Sequence, residues 1–288
     1  GQLAQSLREA GARGGLPMFT LGRPELDLVG DTSIAEMLAE LPPCVVVNAA
    51  AYTAVDAAER EPEKAFAVNR DGAARLARAA RQAGAAFVHV STDYVFDGRK
   101  SSAYVEDDAP GPLGIYGRSK LEGERAVLAA HPDAVVLRTA WVYSAFGGNF
   151  VKTMLRLAET HDVLRVVDDQ RGAPTSAADL AAAILALAPR LADGSKAGGV
   201  YHAAAAGDTT WHGFAQAIFA GAARRGRKVP ALQPIGTAEY PTAAMRPANS
   251  VLDCSKLAGT FGVTFPHWSQ ALEPCLDVLC GGKREQAA

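Results

Sequence analysis

The chain has only four cysteines, Cys44, Cys254, Cys275 and Cys280. They form no Cys-x-x-Cys pair and stand at no metal-ligand spacing from a histidine. This excludes a zinc module and a disulfide framework, and reads as inert thiols in a reducing cytoplasm. Long apolar runs are missing too: the alanine-rich stretch 180–188 falls well short of the ~20 residues that span a bilayer. The charged, apolar, small-residue opening of a signal peptide is absent. A net charge of −2 leaves no electrostatic footprint for nucleic acid or an anionic membrane. The basic cluster Arg224, Arg225, Arg227 and Lys228 reads as a solvated helix end. The expectation is a cytoplasmic protein with neither a membrane nor a nucleic-acid partner.

What is present describes a globular protein. Hydrophobic residues make up 49% and charged residues 21% of 288 positions, enough for one large domain or two modest ones. Short β-branched runs at residues 18–21, 44–49, 86–91 and 134–139 alternate with helical patterns at 33–41, 62–83 and 119–130. Asp31 or Thr32 can cap the first of those helices, and Gly84 closes the second. Continuous runs such as Val45-Val46-Val47 suit strands buried on both faces. The alternation predicts a doubly wound parallel α/β sheet of the dinucleotide-binding (Rossmann) type over residues 1–145. After about 145 the spacing changes. Strands at 163–167 and 199–203 and helices at 149–160, 177–188, 211–223 and 266–279 predict a smaller α+β lobe over 146–288, with some elements returning to the first domain.

At the start, a helical pattern over 5–10 has no strand before it. A dinucleotide-binding sheet lacking its central strand would leave neighbouring strands unpaired. The expectation is therefore an upstream segment of about ten residues, enough for one strand and a first glycine.

The chemistry lies in two segments. Residues 91–98 read STDYVFDG, and residues 116–120 read YGRSK. Tyr116 and Lys120, four apart, share one helix face. An ammonium beside a phenol favours the tyrosinate and lowers its pKa from about 10, making it usable as a general acid or base. With a hydroxyl residue nearby, this is the residue set for protonating a carbonyl oxygen.

These segments, together with VVVNAAAYTAVDAAE (45–59), FAVN (66–69), RTAWVY (138–143), NFVKTMLRLA (149–158), DQRGAPTSAADLA (169–181), YHAAAAGDTTWHGFA (201–215) and RPANSVLD (246–253), carry a resemblance. The chain resembles the extended short-chain dehydrogenase/reductases, and within them the dTDP-4-dehydrorhamnose reductases, nearly end to end. The resemblance implies reduction of the C4 keto group of dTDP-4-dehydro-β-L-rhamnose, with NADPH or NADH as cofactor. It makes Tyr116 the proton donor, Lys120 the group that lowers the Tyr116 pKa and binds the nicotinamide ribose, and Thr92 the hydrogen bond to the carbonyl oxygen. Gly1, Gln2 and Leu3 resemble the end of a glycine-rich pyrophosphate loop, and Ala50, Ala51, Tyr52 and Thr53 the wall beside the adenine and nicotinamide ribose. Arg23 is placed to accept a 2′-phosphate or to be an ordinary surface arginine, and Asp27-Leu28 matches the dipeptide near the adenine.

For the sugar nucleotide, the resemblance implies Thr92, Asp93 and Trp141 near the deoxyhexose. It places Asn149 and its helix N-terminus near the diphosphate, and Arg246 and Asn249 near the diphosphate and thymidine. A core tryptophan is the equally ordinary reading of Trp141. Asn69 matches a structural asparagine. Some bacterial members dimerise around a magnesium ion held by glutamates, but the matching positions here are Ser6 and Ala178. No metal of that kind is therefore expected, and a homodimer remains open. Rival readings are another nucleotide-sugar reductase or epimerase, or a non-catalytic subunit like the relatives that partner methionine adenosyltransferase.

Overall fold

A computed structural model describes residues 1–30, 34–40, 45–194 and 196–281. The predicted cap at Asp31 or Thr32, both ends of the helix at 33–41, and Cys44 lie outside the described residues. In chain order, helices α1 (Gln2–Arg13) and α2 (Ile34–Glu40) precede strand β1 (Val45–Asn48). Then come α3 (Val55–Ala58), α4 (Pro62–Phe66), a π-helical turn over Ala67–Gly72, α5 (Ala73–Gln82) and β2 (Ala86–Thr92). A 3₁₀ turn over Asp93–Val95 leads to α6 (Ile115–Ala130), β3 (Val135–Thr139), β4 (Val142–Tyr143), α7 (Phe150–Ala158) and β5 (Val163–Val167). They are followed by β6 (Arg171–Gly172), β7 (Thr175–Ser176), α8 (Ala177–Ala192), β8 (Gly199–His202) and β9 (Thr209–Thr210). The last elements are α9 (Trp211–Arg224), β10 (Ala231–Ile235), α10 (Ser255–Phe261) and α11 (Trp268–Cys280).

Strands β1-β2-β3-β8 form the main sheet in that order, every pair parallel. The two-residue period of a strand divides their side chains between two helical layers. Val88, Val135, Leu137 and Tyr201 face Leu3 and Leu7 of α1 and Leu180, Ile184 and Leu187 of α8. Phe87 and Val136 face Leu76, Ala77 and Ala80 of α5 and Val127 of α6. Helices thus cover both faces, as a doubly wound α/β sheet requires. Strand β8 and helix α8, from the second half of the chain, complete this layered body. The second body packs α7, α9 and α11 around Val151, Met154, Phe214, Ile218, Trp268 and Leu272. The basic cluster at the end of α9 is ion-paired rather than merely solvated: Arg224 and Arg225 hold Glu273, Arg225 also holds Asp277, Arg227 holds Glu159 and Lys228 holds Asp162.

Three expectations need correction. Residues 18–21 form no strand; Phe19 is 74% exposed, and Met18 instead packs against Gly11 of α1. A strand exists only through its partner, and none of the described strands runs beside these residues. For the same reason Val45-Val46-Val47 is half-buried rather than buried: β1 lies at an edge, and no described strand pairs with its free side. The helix expected over 62–83 is interrupted by the π turn. There Asn69 leaves the helical face to bond the Tyr52 backbone twice, accepting from N–H at 2.8 Å and donating to C=O at 3.0 Å, and to donate to Ser119 Oγ at 2.9 Å.

Candidate active site

Thr92 ends β2, Tyr116 lies in the first turn of α6, and Lys120 follows one turn later. The start of α6 is fixed by Glu59, whose Oε1 accepts the Ile115 N–H at 2.7 Å. The fold therefore brings a strand end and a helix start together at the carboxyl edge of the sheet, where open α/β sheets bind ligands. The Thr92 hydroxyl lies near enough to the Tyr116 phenol to influence its titration. Thr92 in turn donates to Asp93 Oδ1 at 2.9 Å and accepts the Tyr94 N–H at 3.2 Å.

The electrostatics differ from the sequence expectation. Burial pushes the Tyr116 phenol up, to about 12; the nearby Thr92 hydroxyl opposes this and the Asp93 charge adds to it. Lys120 does not lower it. The Lys120 amine is buried, donates to the Val90 carbonyl at 2.7 Å and lies 3.4 Å from His89 Nε2. Burial pushes Lys120 itself down to about 8, against the Glu124 charge. Tyr116 is thus a protonated phenol at neutral pH, and Lys120 titrates close to it. Asp93 is also buried, which raises its carboxyl to about 6, and its Oδ2 has no hydrogen bond.

Beneath the site, Glu124 accepts from Ser91 Oγ at 2.5 Å and from the Arg138 guanidinium at 2.7–3.2 Å, all three side chains being buried. A buried charge persists only when paired and hydrogen-bonded. This cluster locks α6 to β2 and β3, and with them the placement of Tyr116 and Lys120.

The other expected residues fall into three groups. Gly1 caps α1, and among the described residues no side chain caps the helix's first turn. Leu3 points into the core against α8, leaving only its backbone for a ligand. Gln2 Oε1 accepts from Ser144 Oγ and from Asn149 Nδ2, each at 2.9 Å. Beyond β1, Ala50 is exposed, Ala51 half-buried and Thr53 exposed, while Tyr52 donates its hydroxyl to Glu61 at 2.8 Å. Arg23, Asp27 and Leu28 sit on the irregular segment after α1. There Asp27 accepts the Val29 N–H, and Leu28 is buried.

On the sugar side, Asn149 caps α7 by accepting the Lys152 N–H at 3.1 Å, and its amide donates to Ser144 and Phe146 carbonyls. Asn249 is spent in the same way on the carbonyls of Lys100 and Ser102 and on the Val251 N–H. Trp141 adopts a positive φ of 46° and stacks on Trp211, ring centroids 3.5 Å apart and 5° from parallel, with Gly172 against its indole. Arg246 grips Asp56 end-on, with Nη1 and Nη2 at 3.2 and 2.7 Å, and Nη1 also bonds Thr242 and the Ala244 carbonyl. Its Nε makes no hydrogen bond among the described residues, so a side-on fork remains for an anion. Ser6 is buried and Ala178 exposed, and no group of three or more metal-ligating side chains occurs among the described residues.

A family model described as the RmlD substrate binding domain matches residues 1–280. The chain belongs to that family. A dTDP-4-dehydrorhamnose reductase of Sinorhizobium fredii is 49% identical over 94% of this chain and 92% of its own length. The crystal structure of a dTDP-4-dehydrorhamnose reductase from Clostridium acetobutylicum superposes with a TM-score of 0.90 at 38% identity, covering 97% of this chain and 96% of its own. The Bacillus anthracis enzyme of the same name, solved in complex with NADP, gives a TM-score of 0.88 at 35% identity, covering 96% and 95%.

In this RmlD-family chain, four contributors escaped the sequence reading: His89, Asp56, Glu124 and Trp211. Glu124 had a signal, since it continues the Tyr116, Lys120 stripe by another four residues on α6. His89, within VHVST, was visible as a polar residue inside an apolar strand. Asp56 and Trp211 act through partners far away in the chain, and no local pattern marks such pairs.

Proposed function

We propose that the chain reduces the C4 keto group of dTDP-4-dehydro-β-L-rhamnose to give dTDP-β-L-rhamnose, using a nicotinamide cofactor. Near full-length relatives bearing that enzyme's name support the reaction, and the NADP complex of the Bacillus anthracis relative supports NADPH over NADH. The observation that carries the reading is Tyr116, a phenol kept protonated by burial and set beside Thr92 at the carboxyl edge of a parallel sheet.

The residues present fit such a cofactor. The first-turn amides of α1 are free of side-chain caps, and the strand end at Ala50 and Ala51 has no bulk to block close approach. Gly1 and Gln2 would hold the pyrophosphate by their backbone, Ala50 to Thr53 would line the nucleoside side, and Tyr116 and Lys120 would meet the nicotinamide ribose. When bound, the cofactor supplies a hydride for the carbonyl carbon. Tyr116 would give its proton to the C4 oxygen, Thr92 would hydrogen-bond that oxygen, and a water or ribose-hydroxyl chain through Lys120 would resupply the proton. Arg246 offers its free fork to the diphosphate. Asp93, with its unpartnered Oδ2, sits beside the hexose.

Residues 1–145, completed by α8 and β8, would bind the dinucleotide, and the rest of 146–288 the sugar nucleotide. A cytoplasmic enzyme without nucleic-acid partners completes the proposal. It is supported by the near-neutral charge and by the lack of any helix, among the described residues, long and apolar enough to cross a membrane. A coupled assay that generates the 4-keto sugar and follows nicotinamide absorbance with each cofactor tests it. Turnover with NADPH is expected, and no oxidation of either cofactor would refute the reading.

A further inference from the structure

His89 lies on β2 with no exposed surface, between Asn48 of β1 and Lys120 of α6. Its hydrogen bonds determine where its proton sits. Asn48 Oδ1 accepts the Ala50 N–H at 3.1 Å, so the Asn48 amide nitrogen is what faces His89 Nδ1, also at 3.1 Å. An amide nitrogen only donates, so Nδ1 must accept, and a neutral imidazole then carries its proton on Nε2. Nε2 faces Lys120 Nζ at 3.4 Å. A neutral amine has a lone pair for that N–H, whereas an ammonium presents only protons to it.

We propose that His89 is a positioning residue for the Lys120 amine: Asn48 fixes its tautomer, and its Nε2 proton favours neutral Lys120 over the ammonium. This rests on the reductase reading given above, in which Lys120 resupplies the Tyr116 proton. Burial drives His89 well below its ordinary range, with the Lys120 charge adding to the effect, so the imidazole stays neutral and keeps this pattern. The remaining charged neighbours are accounted for. Glu124, one turn further along α6, favours the ammonium but is shared with Arg138 of β3 and Ser91. Tyr116, one turn back, is a neutral phenol, and Asp93 of the 3₁₀ turn engages Thr92. His89 thus adds to burial in opposing Glu124. Together they set Lys120 to give and take a proton near neutral pH, where a relay works in both directions.

Two measurements test this. Nitrogen NMR of the imidazoles in the ligand-free protein should find the His89 proton on Nε2, and a proton on Nδ1 would overturn the proposal. Replacing His89→Gln offers the ammonium a rotatable amide oxygen. The Lys120 titration, followed by its ε-carbon shift, should then move up by about one pH unit, a tenfold loss of neutral amine at fixed pH. The alkaline limb of kcat/KM should move with it. A merely structural His89 would lower turnover without moving either titration, and an unmoved titration refutes the idea. Should the variant not fold, the wild-type tautomer still decides. Failure of the reductase reading would appear separately, as wild-type protein inactive on the 4-keto sugar with both NMR results intact.

Discussion

The hydroxyl of Thr92 spends its one proton on Asp93 Oδ1, 2.9 Å away, and Asp93 Oδ2 receives none. Thr92→Val would take from the buried carboxylate the hydroxyl that donates to Oδ1. The expected cost is about 1–3 kcal/mol, the range for orphaning a buried polar group. Asp93 already has a raised carboxyl, near 6, because burial disfavours its charge. A raised folded-state pKa costs stability as pH rises through it, so losing Thr92 should raise that pKa further and hurt more at pH 8 than at pH 5. Thermal unfolding of both proteins at the two values checks this, and Thr92→Ser should behave like wild type.

Tyr116→Phe removes the acid while keeping the ring that meets Tyr94 edge-on at 5.8 Å. Turnover should fall by about 10²–10⁴-fold, the usual contribution of a positioned acid. Nicotinamide cofactor affinity, measured by fluorescence titration, should stay within a factor of about two. A variant that keeps wild-type turnover would remove Tyr116 from the proton path.

Lys120 titrates near 8 because burial lowers it. Above that pH the amine is neutral and cannot resupply a proton. kcat/KM, which reports the free enzyme, should therefore decline on the alkaline side through about pH 8. Lys120→Met should flatten that limb along with lowering the rate. A profile level to pH 10 would contradict the assignment.

Asp56 of α3 holds Arg246 of the segment between β10 and α10. Asp56→Asn keeps the shape but gives up the charge that orients the guanidinium. The KM for the sugar nucleotide should rise roughly tenfold, while cofactor affinity and kcat change little. Equal loss in both binding steps would instead indicate general loosening.

Gly172 lies so near Trp141 that an added Cβ would fall 2.5 Å from the indole. The Trp141–Trp211 stack cannot retreat without separating two rings already in contact. Gly172→Ala should cost about 1–3 kcal/mol, as overpacking does, and weaken sugar-nucleotide binding. Differential scanning calorimetry and a KM determination read the two effects separately.

The layered sheet was legible because β2 and β3 are continuous apolar runs between amphipathic helices, and periodicity is a local property. The Tyr116, Lys120 spacing was legible for the same reason. Residues 18–21 carry the same kind of run, yet pairing depends on what lies alongside, which composition does not encode. The direction of the Tyr116 shift also escaped the sequence. Spacing puts a lysine near the phenol, but burial raises the phenol while Lys120 turns its protons to Val90 and neighbours His89. Asn149, Asn249 and Arg246 stood out as polar residues in loops. That their hydrogen bonds are largely used on their own surroundings depends on contacts from elsewhere in the chain.

The π turn at Ala67–Gly72 amounts to one surplus residue wound into an otherwise regular helix. Shortening the gene by one codon there would let α4 run smoothly into α5, and the resulting helix would itself be less strained. It would also swing Asn69 off Tyr52 and Ser119. The loop after β1 and the helix bearing Tyr116 would then lose their common tether. The irregular turn thus serves what it attaches, at the expense of the helix that contains it.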